Sequence, residues 1–198
     1  MDLLNFSSRV IPAAQYQRER WRNGLGWTRE ILRLPEQGDW QLRLSIAEIE
    51  QDAAFSAFPG VERELVLLQG EGLRLCFADG RCETLLPPYQ RLRFAGEDVI
   101  TGELVDGFTQ DFNLMWRRDE VNAELLHRPL VGNMLFFTEP QAAWAIHLLA
   151  GQARFEGDAL PALAAGDTAW LGAGARERFT LHGGGELLAI RVTPAVMR

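Results

Sequence analysis

Trp40-Gln41-Leu42-Arg43-Leu44-Ser45-Ile46 sets Leu42, Leu44 and Ile46 against Gln41, Arg43 and Ser45 at a period of two. Successive side chains of a strand point to opposite faces, so one face of this segment enters an apolar core and the other meets solvent or a lined pocket. Outwards from it, runs of the same kind occupy Trp27 to Leu34, Trp40 to Ile49, Glu64 to Gln69, Gly72 to Phe77, Val99 to Val105, Asp111 to Trp116, Met134 to Thr138, Trp144 to Leu149 and Leu187 to Val192. Gly, Pro or Asp turns bound nearly all of them, and no long amphipathic helix competes. The class expected is all-β.

A chain of 198 residues, 47% hydrophobic and 24% charged, has the composition of an ordinary globular protein with one substantial core or two smaller ones. Its 27 acidic residues against 20 basic ones give a formal charge of -7, and no basic patch accompanies them, so phosphate-driven binding to nucleic acid lacks its driver. Every basic residue apart from histidine is an arginine, which leaves many planar forks suited to carboxylates. Met1-Asp2-Leu3-Leu4-Asn5 is not a basic start followed by an apolar run, and no segment approaches the roughly 18 apolar residues of a membrane span. A soluble, cytoplasmic protein is expected, with self-association left open. Cys76 and Cys82 flank Asp79-Gly80, a dipeptide that favours a two-residue hairpin turn. That turn sets Phe77 opposite Cys82 and points Cys76 to the other face, so two free thiols are expected, as suits the cytoplasm.

Leu67-Leu68-Gln69-Gly70-Glu71-Gly72 is similar to Leu148-Leu149-Ala150-Gly151-Gln152-Ala153, and each copy reads as a strand, a tight turn and another strand. The second copy runs on into Gly166-Asp167-Thr168-Ala169-Trp170-Leu171-Gly172-Ala173-Gly174, which resembles the second segment of cupins, a Gly-Asp turn feeding a strand that ends in a Gly-rich corner. Together they suggest a bicupin, a double cupin-like β-barrel of jelly-roll type. The expected division is a barrel over 1–116, a charged linker over 117–129 and a second barrel over 130–198.

Three segments carry a more specific likeness: Trp21-Arg22-Asn23-Gly24-Leu25-Gly26-Trp27-Thr28-Arg29-Glu30, Phe55-Ser56-Ala57-Phe58-Pro59-Gly60-Val61-Glu62-Arg63, and Asp111-Phe112-Asn113-Leu114-Met115-Trp116-Arg117-Arg118. In order and spacing they resemble the HutD/Ves family over about residues 10 to 120. The resemblance implies a metal-free bicupin associated with histidine utilisation, thought to restrain that pathway by binding an intermediate such as formylglutamate.

Read without the family, the same segments still constrain the chemistry. A cupin metal site needs several N or O donors converging on one point. Counting back from Gly70 puts Ser56, Phe58 and Arg63 where the first ligands would sit, and Glu177 stands near the later corner position usually held by His. His127, His147 and His182 are too far apart to pair on one strand. No metal and no cofactor is expected. Arg63 among apolar walls suits a bidentate carboxylate, the alternative being a structural salt bridge. Asp111, Asn113, Met115 and Arg117 share one strand face, as a ligand-lining stripe or a solvated one, and Asn113 suits an amide or formyl group. Arg22 and Asn23 lie in a glycine-rich segment that reads either as a flap over the pocket or as a plain turn with a core Trp. Thr28 and Glu30 share a face, with Glu30 a candidate base lacking any identifiable nucleophile, and Ser45 has no His and Asp beside it. Trp40, Trp144 and Trp170 read as core aromatics.

The leading expectation is a regulatory protein that binds a small carboxylate. An enzyme using Glu30 or Asp111 as general base on a small amide, or an interaction module with a vestigial pocket, are the alternatives.

Overall fold

The computed structural model describes residues 6–174 and 176–195, so the Met1-to-Asn5 segment read for a leader lies outside the described residues. Along the chain the strands are β1 (Arg9–Ile11), β2 (Gln17–Arg20), β3 (Gly26–Leu34), β4 (Leu42–Ile49), β5 (Ala53–Ala54), β6 (Val61–Gln69), β7 (Leu73–Phe77) and β8 (Cys82–Leu85). They continue as β9 (Arg91–Ala95), β10 (Ile100–Leu104), β11 (Thr109–Arg117), β12 (Val121–Thr138), β13 (Ala143–Phe155), β14 (Leu163–Ala164), β15 (Thr168–Leu171) and β16 (Glu177–Pro194). Every pairing among them is antiparallel. No helix among the described residues is long and apolar enough to cross a membrane.

The chain divides into two compact units, one formed by Gln17–Asp119 and the other by the segment up to Tyr16 together with the chain from Glu120 onwards. The inserted unit holds two sheets, β2-β3-β4-β11-β6-β9 and β5-β10-β7-β8. Ile49, Leu65, Leu67, Leu73, Leu75 and Ile100 form the buried layer between them. Alternation works as expected in β4 and β11, where Leu42, Leu44, Phe112 and Leu114 are buried on one face.

The flanking unit is a single sheet in the order β1-β15-β13-β16-β12, with β14 alongside β13. Ile146, Leu148, Leu171, Leu181 and Leu187 are fully buried in its core. Its first strand pairs with β15, and the segment after that strand is tied down across the sequence: Asp167 Oδ1 accepts the Ala13 N–H at 2.8 Å, and the Tyr16 hydroxyl donates to the Gly166 carbonyl at 2.6 Å. The architecture is thus all-β and largely antiparallel.

Three local expectations change. The stretch 117–129, read as a linker because of its charges, is mostly strand: Val121, Ala123 and Leu125 are buried in β12 while Asn122 and Glu124 face out. The second repeat copy does not turn back on itself; Leu148 to Ala153 lies inside β13, where a bulge between Leu148 and Ala150 absorbs the irregularity and Gly151 takes φ +88°. Cys76 and Cys82 form a disulfide in place of two thiols. The Phe77 N–H donates to the Arg81 carbonyl at 2.8 Å, so the loop is the three residues Ala78-Asp79-Gly80, with Gly80 at φ +91°. One extra loop residue moves the register by one, which sets Cys76 directly opposite Cys82 with their Cα atoms 4.2 Å apart. The thiol argument for a reducing compartment falls with it.

Candidate functional site

Three neighbouring rows of side chains cross one face of the larger sheet of the inserted unit. One row reads Arg33, Arg43, Met115, Arg63; the next Glu30, Ser45, Asn113, Leu65; the third Thr28, Ala47, Asp111, Leu67. Arg33 and Glu30 come to the same face, although three residues apart, because β3 has a bulge between Glu30 and Leu32. A cavity of about 960 Å³ lies over the first two rows and part of the third. Its lining carries six arginines against two glutamates.

Arg63 is the chemical centre of this face. Only 7% exposed, it donates from Nη2 to Asn113 Oδ1 at 2.9 Å and makes a long contact of 3.5 Å from Nη1 to the Ser56 carbonyl. Phe94, Phe55 and Phe58 surround the guanidinium at 5.0, 5.2 and 5.7 Å from their ring centroids, which shields the charge from water while keeping it electrostatically favourable. Nε is buried with no acceptor, and no carboxylate among the described residues pairs with this side chain. Burial first, and the neighbouring Arg43 charge second, lower the Arg63 guanidinium to about 10, so it remains protonated at neutral pH. The salt-bridge alternative therefore has no acid among the described residues to supply it. Because Asn113 Oδ1 already accepts from Arg63, its amide nitrogen is the group left to donate.

Asp111 and Arg117, expected on the same stripe as Asn113 and Met115, do not reach the cavity. Asp111 lies one row deeper at 0% exposure; the Thr109 hydroxyl donates to its Oδ2 at 2.7 Å, and Oδ1 has no partner. Burial pushes its carboxyl up to about 7 despite the opposing Thr109 hydrogen bond. Arg117, at the strand end, donates instead to the Trp40 carbonyl at 3.3 Å. The other expected residues, Arg22, Asn23, Thr28, Glu30, Ser45, Ser56, Phe58, Arg63, Asn113 and Met115, all line the cavity. Glu30 is held there by Arg43, whose Nε donates to its Oε2 at 2.8 Å.

The segment from Trp21 to Gly26 is the β2–β3 hairpin turn. Gly24 at φ +73° closes it, Asn23 Oδ1 accepts the Leu25 N–H at 3.1 Å, and the Trp21 indole donates to Thr28 Oγ1 at 2.9 Å. A Cβ on Gly26 would meet the Glu48 carbonyl at 2.5 Å and the Trp21 ring at 3.1 Å, so glycine there lets the indole lie flat on the strand. Trp21, Arg33, Trp40, Arg43 and Phe55 also line the cavity and are not among the site residues expected from sequence. Trp40, expected in the core, packs near Phe58 with ring centroids 6.1 Å apart, Trp144 is only half-buried, and Trp170 alone of the three is fully buried. Among the described residues no group of three or more His, Cys, Asp or Glu converges as metal ligands would.

A family model described as HutD matches residues 13–189. An uncharacterised 21.2 kDa protein of Pseudomonas putida, from the region 3′ of hutC, is 38% identical over 118 residues, 59% of this chain and 62% of the relative, so the match spans less than two thirds of that protein. Protein Ves of Cronobacter sakazakii is 36% identical over 132 residues, covering 66% of this chain and 70% of Ves. The solved structure of HutD from Pseudomonas fluorescens SBW25 superposes with a TM-score of 0.81 at 28% identity, over 95% of this chain and 99% of that one. Far more distant structures, among them a bacterial pirin of Escherichia coli at 11% identity and TM-score 0.71, share the cupin-related fold alone.

Proposed function

The chain belongs to the HutD family, which is linked to histidine-utilisation gene clusters, and from that premise we propose that it binds a small carboxylate such as formylglutamate in a regulatory role. Each of its two units is read as one cupin-like half of a bicupin, and the ligand belongs to the cavity of the inserted unit. A single observation carries the proposal: the protonated guanidinium of Arg63 is buried among aromatic rings with no carboxylate among the described residues to pair with it. Buried charges are ordinarily paired, and a ligand carboxylate entering this cavity would supply the missing partner through charge-assisted hydrogen bonds. The Asn113 amide nitrogen would then donate to a formyl or carboxylate oxygen beside it.

A catalytic reading gains less from the same geometry. Glu30 is engaged with Arg43, and Asp111 is sealed beneath the cavity with no path to a substrate proton. Isothermal titration of the purified protein with formylglutamate, urocanate and simple dicarboxylates tests the proposal. Saturable binding that disappears in Arg63→Ala is the expected result; binding undiminished in a folded Arg63→Ala protein would exclude this cavity as the carboxylate site.

A further inference from the structure

Beyond Arg63, the cavity wall holds a second guanidinium that is only half used. Arg43 lies in the same row as Arg63 with Met115 between them, so their backbones stand two strand spacings apart, roughly 10 Å. Its Nε donates to Glu30, but no acceptor among the described residues takes the four N–H groups of its Nη1 and Nη2. The side chain is 21% exposed within the cavity lining, so these donors are open to a solute. Arg33 completes the row, one of its terminal nitrogens donating to the Gly38 carbonyl at 2.6 Å. Across these two rows three arginines face the single carboxylate of Glu30. One carboxylate placed on Arg63 leaves that wall still positive. Arg43 is also the charge that, after burial, depresses the proton affinity of Arg63, so the two guanidinium groups repel and each gains from an anion placed on the other.

We propose that Arg43 is the seat of a second anionic group, and that the cavity therefore selects small dianions lying along one row of the sheet, with one end on Arg63 and the other on Arg43. The inference rests on the carboxylate reading of Arg63 and adds the charge and orientation of the ligand to it. Glu30 acts as a positioning residue, holding the Arg43 fork by its Nε edge while leaving the Nη face to the ligand.

Glutarate and its half-amide, glutaramate, differ in one end group and little in shape, so they isolate the second charge. Titration of wild-type protein at fixed ionic strength should show glutarate bound roughly 10- to 100-fold more tightly, the difference between a charge-assisted and a neutral hydrogen-bonded contact. Arg43→Gln should weaken glutarate far more than glutaramate and erase the preference, while Arg43→Lys keeps part of it. Thermal unfolding of each variant confirms that folded protein is compared. Equal affinity of wild type for the two compounds, with both lost in Arg63→Ala, overturns the second seat and leaves the first carboxylate site standing. Equal weakening of both by Arg43→Gln also overturns it, since Arg43 would then grip the same carboxylate as Arg63. Wild type binding neither compound nor any other carboxylate removes both readings.

Discussion

Removing the guanidinium of Arg63 has two separable consequences. No acid among the described residues is left unpaired by the change, so Arg63→Met, which keeps an unbranched apolar stem among Phe55, Phe58 and Phe94, should leave the unliganded protein as stable as wild type or more so. Carboxylate binding should meanwhile fall by roughly 2 to 4 kcal/mol, and Arg63→Lys should also bind worse because an ammonium lacks the planar fork. Melting curves with and without ligand on the same preparations check both halves. Asp111 makes a different prediction. Its folded carboxyl, raised to about 7, keeps its proton over a range where an unfolded aspartate, with a pKa of about 3.9, has lost it. Its contribution is therefore fully present below about pH 4, is lost as pH rises towards 7, and changes no further above that. The loss should be on the order of a few kcal/mol, and Asp111→Asn should flatten the slope in urea unfolding measured between pH 4 and 8. From sequence, the position of Arg63 and the face shared by Asn113 and Met115 were legible in the spacing to Gly70 and in the alternation along 111–117. The unpaired state of Arg63 was not, because it depends on which acids fail to approach it in space.

At the level of elements, backbone irregularities decided what alternation could not. The bulge at Glu30/Leu32 turns Arg33 to the cavity, whereas strict alternation from Glu30 would have sent Leu32 there. The hairpin loop of Ala78-Asp79-Gly80 likewise differs by one residue from the turn that Asp-Gly suggests, and that residue decides the chemistry of Cys76 and Cys82. Titration of denatured, unreduced protein should accordingly find no free thiol. Reduction should cost only roughly 2 kcal/mol or less, because the loop closed by cysteines with a sequence separation of 6 is short. β12 escaped recognition over its first half since Arg117, Arg118, Asp119 and Glu120 read as a linker, yet the buried sequence Val121, Ala123, Leu125 was a strand signal at half-exposed spacing. The β2–β3 hairpin offers a direct test of how an element shapes the cavity. Gly26→Val would drive a side chain into the Glu48 carbonyl and the Trp21 ring, so it should displace the indole from Thr28, quench or shift tryptophan fluorescence, and weaken carboxylate binding together with stability.

Across the whole molecule, charge is distributed against its own average. The chain carries -7, yet the cavity lining sets six arginines against two glutamates. An anionic ligand is thus repelled weakly by the molecule at large and drawn in at one place, and since the attraction acts over a Debye length of about 8 Å at physiological salt, the association rate should fall as ionic strength rises. Stopped-flow binding of glutarate between low and high salt measures it, with a rate indifferent to salt counting against steering. The excess is half legible in the sequence, where Arg18, Arg20 and Arg22 stand at every second position of one stretch, whereas Arg33, Arg43 and Arg63 come from three separate strands and meet only through pairing. The division of the chain was equally hidden, since Tyr16 and Glu120 bear no mark of a boundary and only pairing shows that the segment before Gln17 belongs with the last third.

That arrangement gives the protein a calendar. Ala13 is hydrogen-bonded to Asp167, 154 residues further along, whereas every strand partner within 17–119 is available once that stretch has left the ribosome. At about 5 to 20 residues per second, the interval between making the two ends of that bond is roughly 8 to 30 seconds. During it Ala13 has no Asp167 to bond, while the strands of 17–119 already have every partner that the pairings give them.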